Sequence, residues 1–413
     1  MGRWETLTAR ALDEVERCDP IYRPTVFWVP GIRTLLDEST ALGLETFKSW
    51  PSARIWFYPT YGGGFTPRSI KPLIEAASRA NPEASESWVR AALNGDFQAR
   101  RDIDAARLAW DQARWPFDID GLGESKAGAP PHLHRFDASK DVGWTRPYLN
   151  YLLCLAGLSR HVAEPPRRFL ELGGGFGVLG EIVLSRDPEA SYVDLDLPPL
   201  LTVASYYLDT LFGERVTTYE SLPAEGALDV PGSACLPNWR IGDLAGGFDV
   251  FVNSYSFQEM EPHVVARYAA DVASLGAPWI VSLNSKAGKP QRAEDVEIGV
   301  ETPVTSRAIA ELFGAQSYRV VAVYGEPLIQ GLAELLIMRR DDGSSAARAA
   351  FGTSGRAYRP SPPMTDLRQP IAEPPRPRRG AGGRRGRVRR LVRRWFPKPV
   401  VDALRSIRRA RRP

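Results

Sequence analysis

The pattern best suited to chemistry in this 413-residue chain is the run Phe169-Leu170-Glu171-Leu172-Gly173-Gly174-Gly175-Phe176-Gly177. An apolar, strand-like stretch ends in an acid and passes into a glycine-rich turn. Apolar residues then resume at helical spacing from Val178 to Leu184. In an α/β sheet, ligands bind at the carboxyl ends of the strands. Glycine lets the backbone approach a ligand closely, because no Cβ intervenes. Gly173, Gly174, Gly175 and Gly177 are therefore candidate binding positions. The stretch from Gly175 to Gly180 also satisfies the G-x-G-x-x-G spacing of dinucleotide sites, which is a weak signal on its own. A tight turn without a ligand is the plain alternative.

Acids at three other places sharpen this reading. The next strand-like run ends Tyr192-Val193-Asp194-Leu195-Asp196-Leu197-Pro198. An acid at such a strand end accepts hydrogen bonds from both ribose hydroxyls. Asp196 is the first candidate, and Asp194 the second if the strand ends two residues earlier. This feature speaks for a nucleoside without choosing one. Glu171 stands where NAD domains usually carry an apolar residue, and it can organise the loop around a cationic amino group. In Ile241-Gly242-Asp243, just before another strand-like run, Asp243 is placed to meet an adenine amino group. Together these features favour S-adenosylmethionine over NAD.

Candidates for proton transfer follow the run Phe248 to Asn253. They are Glu259, Glu261 and His263, with Gln258 beside them as a further catalytic-site residue, all expected near the rim of the site. A positioned base helps when a hydroxyl of high pKa attacks, although much of a methyl transfer is alignment. The bland reading is that Gln258 and Glu259 cap the next helix or hold the cofactor. His132 and His134, two apart, would share one face of a strand. No third ligand stands at a suggestive spacing, and no metal is expected. Asn284-Ser285-Lys286, at another strand end, either touches the acceptor or is a turn.

The elements that must position these groups alternate. Strand-like runs at Arg167–Leu172, Ser191–Leu197, Phe248–Asn253 and Trp279–Asn284 alternate with helical spacing at Val178–Leu184, Leu200–Leu211, His263–Leu275 and Ser306–Phe313. That alternation implies a mostly parallel sheet covered by helices on both faces. Tyr318–Tyr324 and Leu332–Met338 are joined by a short link and can close the sheet as an antiparallel edge. Residues 1–145 read as mainly helical, with helical spacing from Ser87 to Trp115 interrupted at Gly95 and a short strand at Ala53–Tyr58. The glycine run after Tyr61 lacks the Lys-Ser/Thr of a phosphate loop and reads as a turn. Eight tryptophans precede residue 146; they can stack on sugar faces, but most are expected in the core.

Composition separates a body from a tail. Residues 376–413 hold 15 Arg and one Lys against a single acid, Asp402, a net +15; the whole chain carries +4, so the rest carries −11. Residues 341–383 are rich in Pro, Gly and Ser and read as a linker. In residues 384–413, Val388, Leu391, Val392, Trp395 and Phe396 form one apolar stripe on an otherwise arginine-rich helix. Such a helix suits an anionic membrane surface; nucleic-acid binding and a solvated tail are the lesser readings. There is no apolar run long enough to span a bilayer and no signal-peptide pattern at Met1–Arg10. The three cysteines, Cys18, Cys154 and Cys235, lack metal-ligand spacing. A cytoplasmic protein, peripheral at the inner membrane face, is expected.

A family resemblance runs through these motifs. Glu171-Leu-Gly-Gly-Gly-Phe-Gly, followed 25 residues on by Asp196-Leu-Pro, is similar to the arrangement of small-molecule O-methyltransferases. The run Phe248-Asp-Val-Phe-Val-Asn-Ser-Tyr-Ser-Phe-Gln-Glu-Met260 resembles, more narrowly, the bacterial sugar O-methyltransferase family, over roughly residues 120–340. The resemblance implies an α/β, Rossmann-like methyltransferase sheet, mostly parallel with an antiparallel final strand, in residues 146–340, with residues 1–145 as an acceptor-binding cap. It implies Gly173, Gly175 and Gly177 at the methionine end of S-adenosylmethionine, Asp196 at the ribose and Asp243 at the adenine. Asn253, within the second run, joins the cofactor set. The implied reaction is methylation of a sugar hydroxyl in a glycan or lipid-linked saccharide. A secondary-metabolite acceptor is the alternative, and a non-catalytic binding module with a working tail is the alternative of another class. Plant-type relatives carry a His-Asp pair where this chain has Gln258-Glu259, which leaves the base open among Glu259, Glu261 and His263.

Overall fold

The structure, a computed structural model, describes residues 2–341 apart from 64, 66, 116–118, 138, 294–297, 326–327 and 330. The basic tail, with its stripe from Val388 to Phe396, lies outside the described residues, as does the linker beyond Asp341. The described chain divides into two compact units, residues 1–60 with 99–341, and residues 61–98. Residues 2–60 and 99–145, within the region expected as an acceptor-binding cap, share a unit with the sheet.

The N-terminal segments are α1 (Arg3–Val15), α2 (Val29–Leu42) and the single turn α3 (Ala53–Trp56). The smaller unit holds α4 (Pro67–Ala80) and α5 (Glu86–Asn94), whose Ile70, Ile74, Ala77 and Val89 form its own apolar cluster. Next come α6 (Asp96–Trp110) and α7 (Arg146–Ser159). Gly95, left-handed at φ 82°, ends α5, as its interruption of the helical spacing suggested.

The expected strand at Ala53–Tyr58 is instead helical. A single turn sets Trp56 tilted against Trp28, with ring centroids 5.3 Å apart, and Phe57 edge-on to Trp50. Aromatic packing thus satisfies these side chains without a partner strand.

The sheet has eight strands: β1 (Arg168–Leu172), β2 (Ser191–Asp196), β3 (Val216–Thr218), β4 (Ser233–Pro237), β5 (Val250–Ser254), β6 (Trp279–Ser285), β7 (Tyr318–Tyr324) and β8 (Ala333–Arg340). Their spatial order is β3-β4-β2-β1-β5-β6-β8-β7. Pairings from β3 across to β6 are parallel, and β8 runs antiparallel to both β6 and β7. This is the Rossmann-like sheet with the antiparallel ending that the alternation and the short final link imply. β3 and β4 were not foreseen. β4 is short, buried at every residue and bounded by Ser233 and Pro237, so it shows no alternation of period two.

The crossover helices are α8 (Val178–Arg186), α9 (Pro198–Phe212), α10 (Pro262–Leu275) and α11 (Ser306–Gly314). The chain winds outward from β1 through β2 to β4, and in the opposite sense from β5 to β6. With right-handed crossovers, α8 and α9 lie on one face and α10 and α11 on the other. A crevice results at the carboxyl ends of β1 and β5, where the winding reverses. Among the described residues no helix is long and apolar enough to cross a membrane.

Candidate functional site

A cavity opens over that crevice. Its floor is Leu172 to Phe176 after β1, Leu195 to Leu197 at the end of β2, Asn238 after β4, and Ser254 to Ser256 after β5. The glycines are demanded by the packing of the turn. Gly173 has φ 75°, and a Cβ there would stand 2.3 Å from Ser256 Oγ. A Cβ on Gly174 would stand 2.5 Å from Asp194 Oδ1. Gly175 and Gly177 also take positive φ, and Gly177 begins α8.

The two strand-end acids separate cleanly. Asp196 lines the cavity. Its Oδ2 accepts the Gly175 N–H at 2.8 Å and its Oδ1 the Leu197 N–H at 2.7 Å. Each oxygen keeps a further lone pair for a ligand. Asp194 lies fully buried outside the wall, accepting the Gly174 N–H at 3.1 Å, while its Oδ2 meets no partner. Burial and the charges of Asp196 and Glu171 push the Asp194 carboxyl well up. Burial also raises Asp196, to about 7.

Glu171 is likewise buried and outside the wall. Its two oxygens accept the Tyr151 and Tyr192 hydroxyls, both at 2.6 Å. Burial raises it to about 7 against the pull of those two bonds. The acid therefore acts beneath the loop, through Tyr151, which does line the cavity.

Asp243 departs from its expected place. It ends a short 3-10 turn, Asn238–Asp243, and its carboxylate is drawn to Arg240 Nε at 2.5 Å, away from the cavity wall. Arg240 is itself buried and fixed by the Pro223, Ala224 and Gly226 carbonyls. Asn238 stands at the strand end instead. Its Nδ2 donates to the Tyr22 carbonyl and the Tyr268 hydroxyl, both at 2.7 Å, while its buried Oδ1 meets no donor.

Asn253, also expected at the cofactor, is a buried brace. It donates to the Leu172 carbonyl at 3.0 Å, and its Oδ1 accepts from the Phe257 N–H and from Asn284. Asn284 is spent on this brace rather than on the cavity, and Lys286 reaches Glu334.

Beyond β5 the backbone bends sharply at Tyr255, a non-glycine residue with φ 60°. Such strain persists only where the surroundings enforce it. The bend delivers Gln258 and Glu259 to the cavity wall. Gln258 accepts the Ser285 N–H at 2.7 Å. Glu259 meets Lys289 Nζ at 2.9 Å, and burial raises its carboxyl to about 7 while Lys289 pulls it back. Two weaker candidates fall away. Glu261 is consumed by the Glu301 and Thr302 N–H groups, and His263 is exposed on α10 and outside the wall. His134 joins Trp144 in a backbone bridge, with the His132 ring edge-on at 4.5 Å.

The opposite wall comes from segments distant in sequence, including Trp28, Ile55, Trp56 and Phe57. Phe57 and the N-terminal segment are tied to the glycine turn through Phe176, which packs on Phe47 and Tyr58. Beneath it lies a buried network. Lys48 Nζ contacts Glu124 Oε1 at 2.8 Å and the Tyr207 hydroxyl at 2.9 Å, and Tyr207 donates to Glu181 at 2.8 Å. Tyr58 and Thr145 also donate to Glu124. Asn238, Tyr151, Arg146 and Lys289 were not foreseen at the cavity.

No protein-family model and no curated protein matches the sequence. Among solved structures, the chain is similar to the pyocyanin biosynthetic protein PhzM, with 16% identity, 46% of this chain and 56% of that one covered, and a TM-score of 0.34. It is similar to the mitomycin 7-O-methyltransferase MmcR, with 16% identity, 47% and 58% covered, and a TM-score of 0.33. It is also similar to magnesium protoporphyrin IX methyltransferase from Synechocystis PCC 6803 with bound S-adenosylhomocysteine (SAH), with 10% identity, 65% and 94% covered, and a TM-score of 0.32. The match spans little more than half the length of the first two.

Proposed function

We propose that the chain is an S-adenosylmethionine-dependent O-methyltransferase acting on a small organic acceptor. The observation that carries this is the Asp196 carboxylate, held at the cavity wall by the Gly175 and Leu197 N–H groups with acceptor capacity to spare. Its ligand is a pair of neighbouring hydroxyls, as on a ribose. The orphaned Asn238 Oδ1 supports a nucleoside in the same place, since an adenine amino group supplies the donor it lacks. The close-packed glycine turn leaves its backbone open to the ligand beside these two groups.

When bound, the cofactor supplies an electrophilic methyl group: a bond forms from acceptor oxygen to carbon, the sulfur–carbon bond breaks, and sulfur keeps the electron pair. The chain's own contribution is positioning and proton removal. Glu259 takes the hydroxyl proton; a carboxyl near 7 is poised for that exchange at neutral pH. Lys289, 2.9 Å away, steadies its ionised form.

The acceptor wall favours a flat, weakly polar molecule over a sugar. Trp28, Ile55, Trp56 and Phe57 offer apolar surface, while the nearby polar groups Gln258, Glu259 and Lys289 are already bonded to protein. A sugar needs partners for several hydroxyls at once. Glycan methylation is the second reading, favoured by the two indoles, which can stack on sugar faces.

Calorimetric titration tests the class of cofactor. SAH is expected to bind, and NAD is not. Tight binding of NAD without any binding of SAH overturns the assignment.

A further inference from the structure

Three cationic residues line the cavity: Arg23, Arg146 and Lys289. Two are committed. Arg23 donates to the Glu16 carbonyl at 2.6 Å, and Lys289 is paired with Glu259. Arg146 makes no ion pair or hydrogen bond with any described residue, although it is only partly exposed.

The surroundings explain why no internal anion reaches it. Arg146 opens α7, and Asn150 and Tyr151 lie on the same helix, at the same wall. Residues four apart on a helix share a face, so Asn150 stands beside Arg146. Two acids bear on this corner: Glu171, closed off by the Tyr151 and Tyr192 hydroxyls, and the buried Asp102, whose charge reaches Tyr255 and which pairs with Arg101 at 4.0 Å. Tyr255 faces the same corner, and the Arg146 charge partly offsets the upward push of burial on its hydroxyl. The corner therefore holds a guanidinium, a carboxamide and a phenol, and among the described residues no acid forms an ion pair with the guanidinium. A guanidinium is a planar fork that matches a carboxylate with two parallel bonds.

We infer that Arg146, backed by Asn150, is a carboxylate-binding site in the wall of the cavity. The carboxylate has two possible sources, the methionyl part of the cofactor or an acid group on the acceptor. The first rests on the proposed methyltransferase reading. The second stands without it.

The test compares Arg146→Met and Arg146→Lys with the wild type, using three probes. SAH carries the carboxylate. Methylthioadenosine has the same nucleoside without the amino acid. Benzoate, added to protein saturated with SAH, stands for an acidic acceptor. If the cofactor supplies the carboxylate, Arg146→Met weakens SAH by roughly 10- to 150-fold, the range for losing a charged hydrogen-bonded partner. Methylthioadenosine affinity stays unchanged, which also shows that the variant is folded. Arg146→Lys, keeping the charge without the fork, recovers part of the loss. If the acceptor supplies it, SAH affinity is unchanged and benzoate binding disappears in Arg146→Met. Unchanged SAH affinity together with no Arg146-dependent benzoate binding overturns the site. If the wild type binds neither nucleoside, the methyltransferase reading falls, and benzoate titrated onto the free wild type and Arg146→Met decides.

Discussion

The glycine-turn side of the cavity is made of strand ends, whereas the tryptophan side is made of chain brought from elsewhere. Glu171, Gly173 to Gly177 and Asp196 sit within 26 consecutive residues, and the pleat and pairing of β1 and β2 set their spacing. Trp28, Trp56, Tyr151 and Lys289 reach the same cavity from four separate segments. On the first side substitution is tightly limited, because a Cβ on Gly173 or Gly174 would meet Ser256 or Asp194. On the second, the wall is assembled from residues of separate segments. On the proposed reading, the nucleoside end is specified by local geometry and the acceptor end by tertiary assembly.

The sharpest way to break this contrast is at Glu259, where the two sides meet. If it receives the proton, Glu259→Gln lowers turnover by about 100-fold or more, with SAH affinity little changed. A steady-state assay with a small phenolic or enolic acceptor, paired with SAH titration, measures both. Equal turnover in the variant makes Glu259 a structural partner of Lys289 and no more.

The next effect belongs to the floor. Asp196→Ala is expected to weaken SAH by roughly 10- to 150-fold through loss of a charged acceptor. Asn238→Ala removes one neutral acceptor and weakens it by only about 2- to 10-fold. Asp243→Asn leaves affinity unchanged, because Asp243 serves Arg240. Calorimetry of the three variants ranks them, and a larger loss at Asp243 than at Asn238 reverses the placement given above.

The smallest effect is one of pH, and it has opposite signs for stability and for binding. Glu171, Asp196 and Glu259 are each raised by burial to about 7, whereas in an unfolded chain such acids titrate near 4. Between those values the folded state holds protons that the unfolded state has released. Stability is therefore greatest below about pH 4, as far as these groups decide it, and is lost as pH rises through 7. Asp196, however, must shed its proton to accept two hydroxyls. Melting curves at pH 5.5 and 8 are expected to show the free protein melting lower at pH 8 by about 2 °C or more. The upward shift caused by SAH is expected to be larger at pH 8. Parallel slopes with and without SAH argue that Asp196 does not meet the ligand.

The same contrast decides what could be read before the structure. The strand–acid–glycine turn and the paired acids Asp194 and Asp196 were legible, because each depends on neighbours in sequence. Asp196 could be preferred over Asp194, and the sheet puts Asp196 at the cavity. Asp243 was expected at the cavity, where Asn238 stands instead. β4 is a buried five-residue strand without alternation, so the strand end at Asn238 was invisible and Asp243 stood in its place. Arg146 and Lys289 carried no signal at all, since neither belongs to a motif and their companions are distant in the chain. The turn at Ala53–Trp56 misled because aromatic residues in a row suit a strand as well as a packed helical turn.

The buried network around Lys48 bears on how far this chain can be divided. Lys48 and Tyr58 come from the N-terminal segment, Glu124 and Thr145 from the stretch before and at the start of α7, and Glu181 and Tyr207 from the crossover helices. One cation answers two acids here, in a place closed to solvent. A fragment trimmed to the sheet and its crossover helices would keep Glu181 and lose Lys48, stranding a carboxyl in the core at a cost of about 3–5 kcal/mol if it stays charged. Residues 1–60 thus supply the one cation of this network, and a cut at residue 145 removes it.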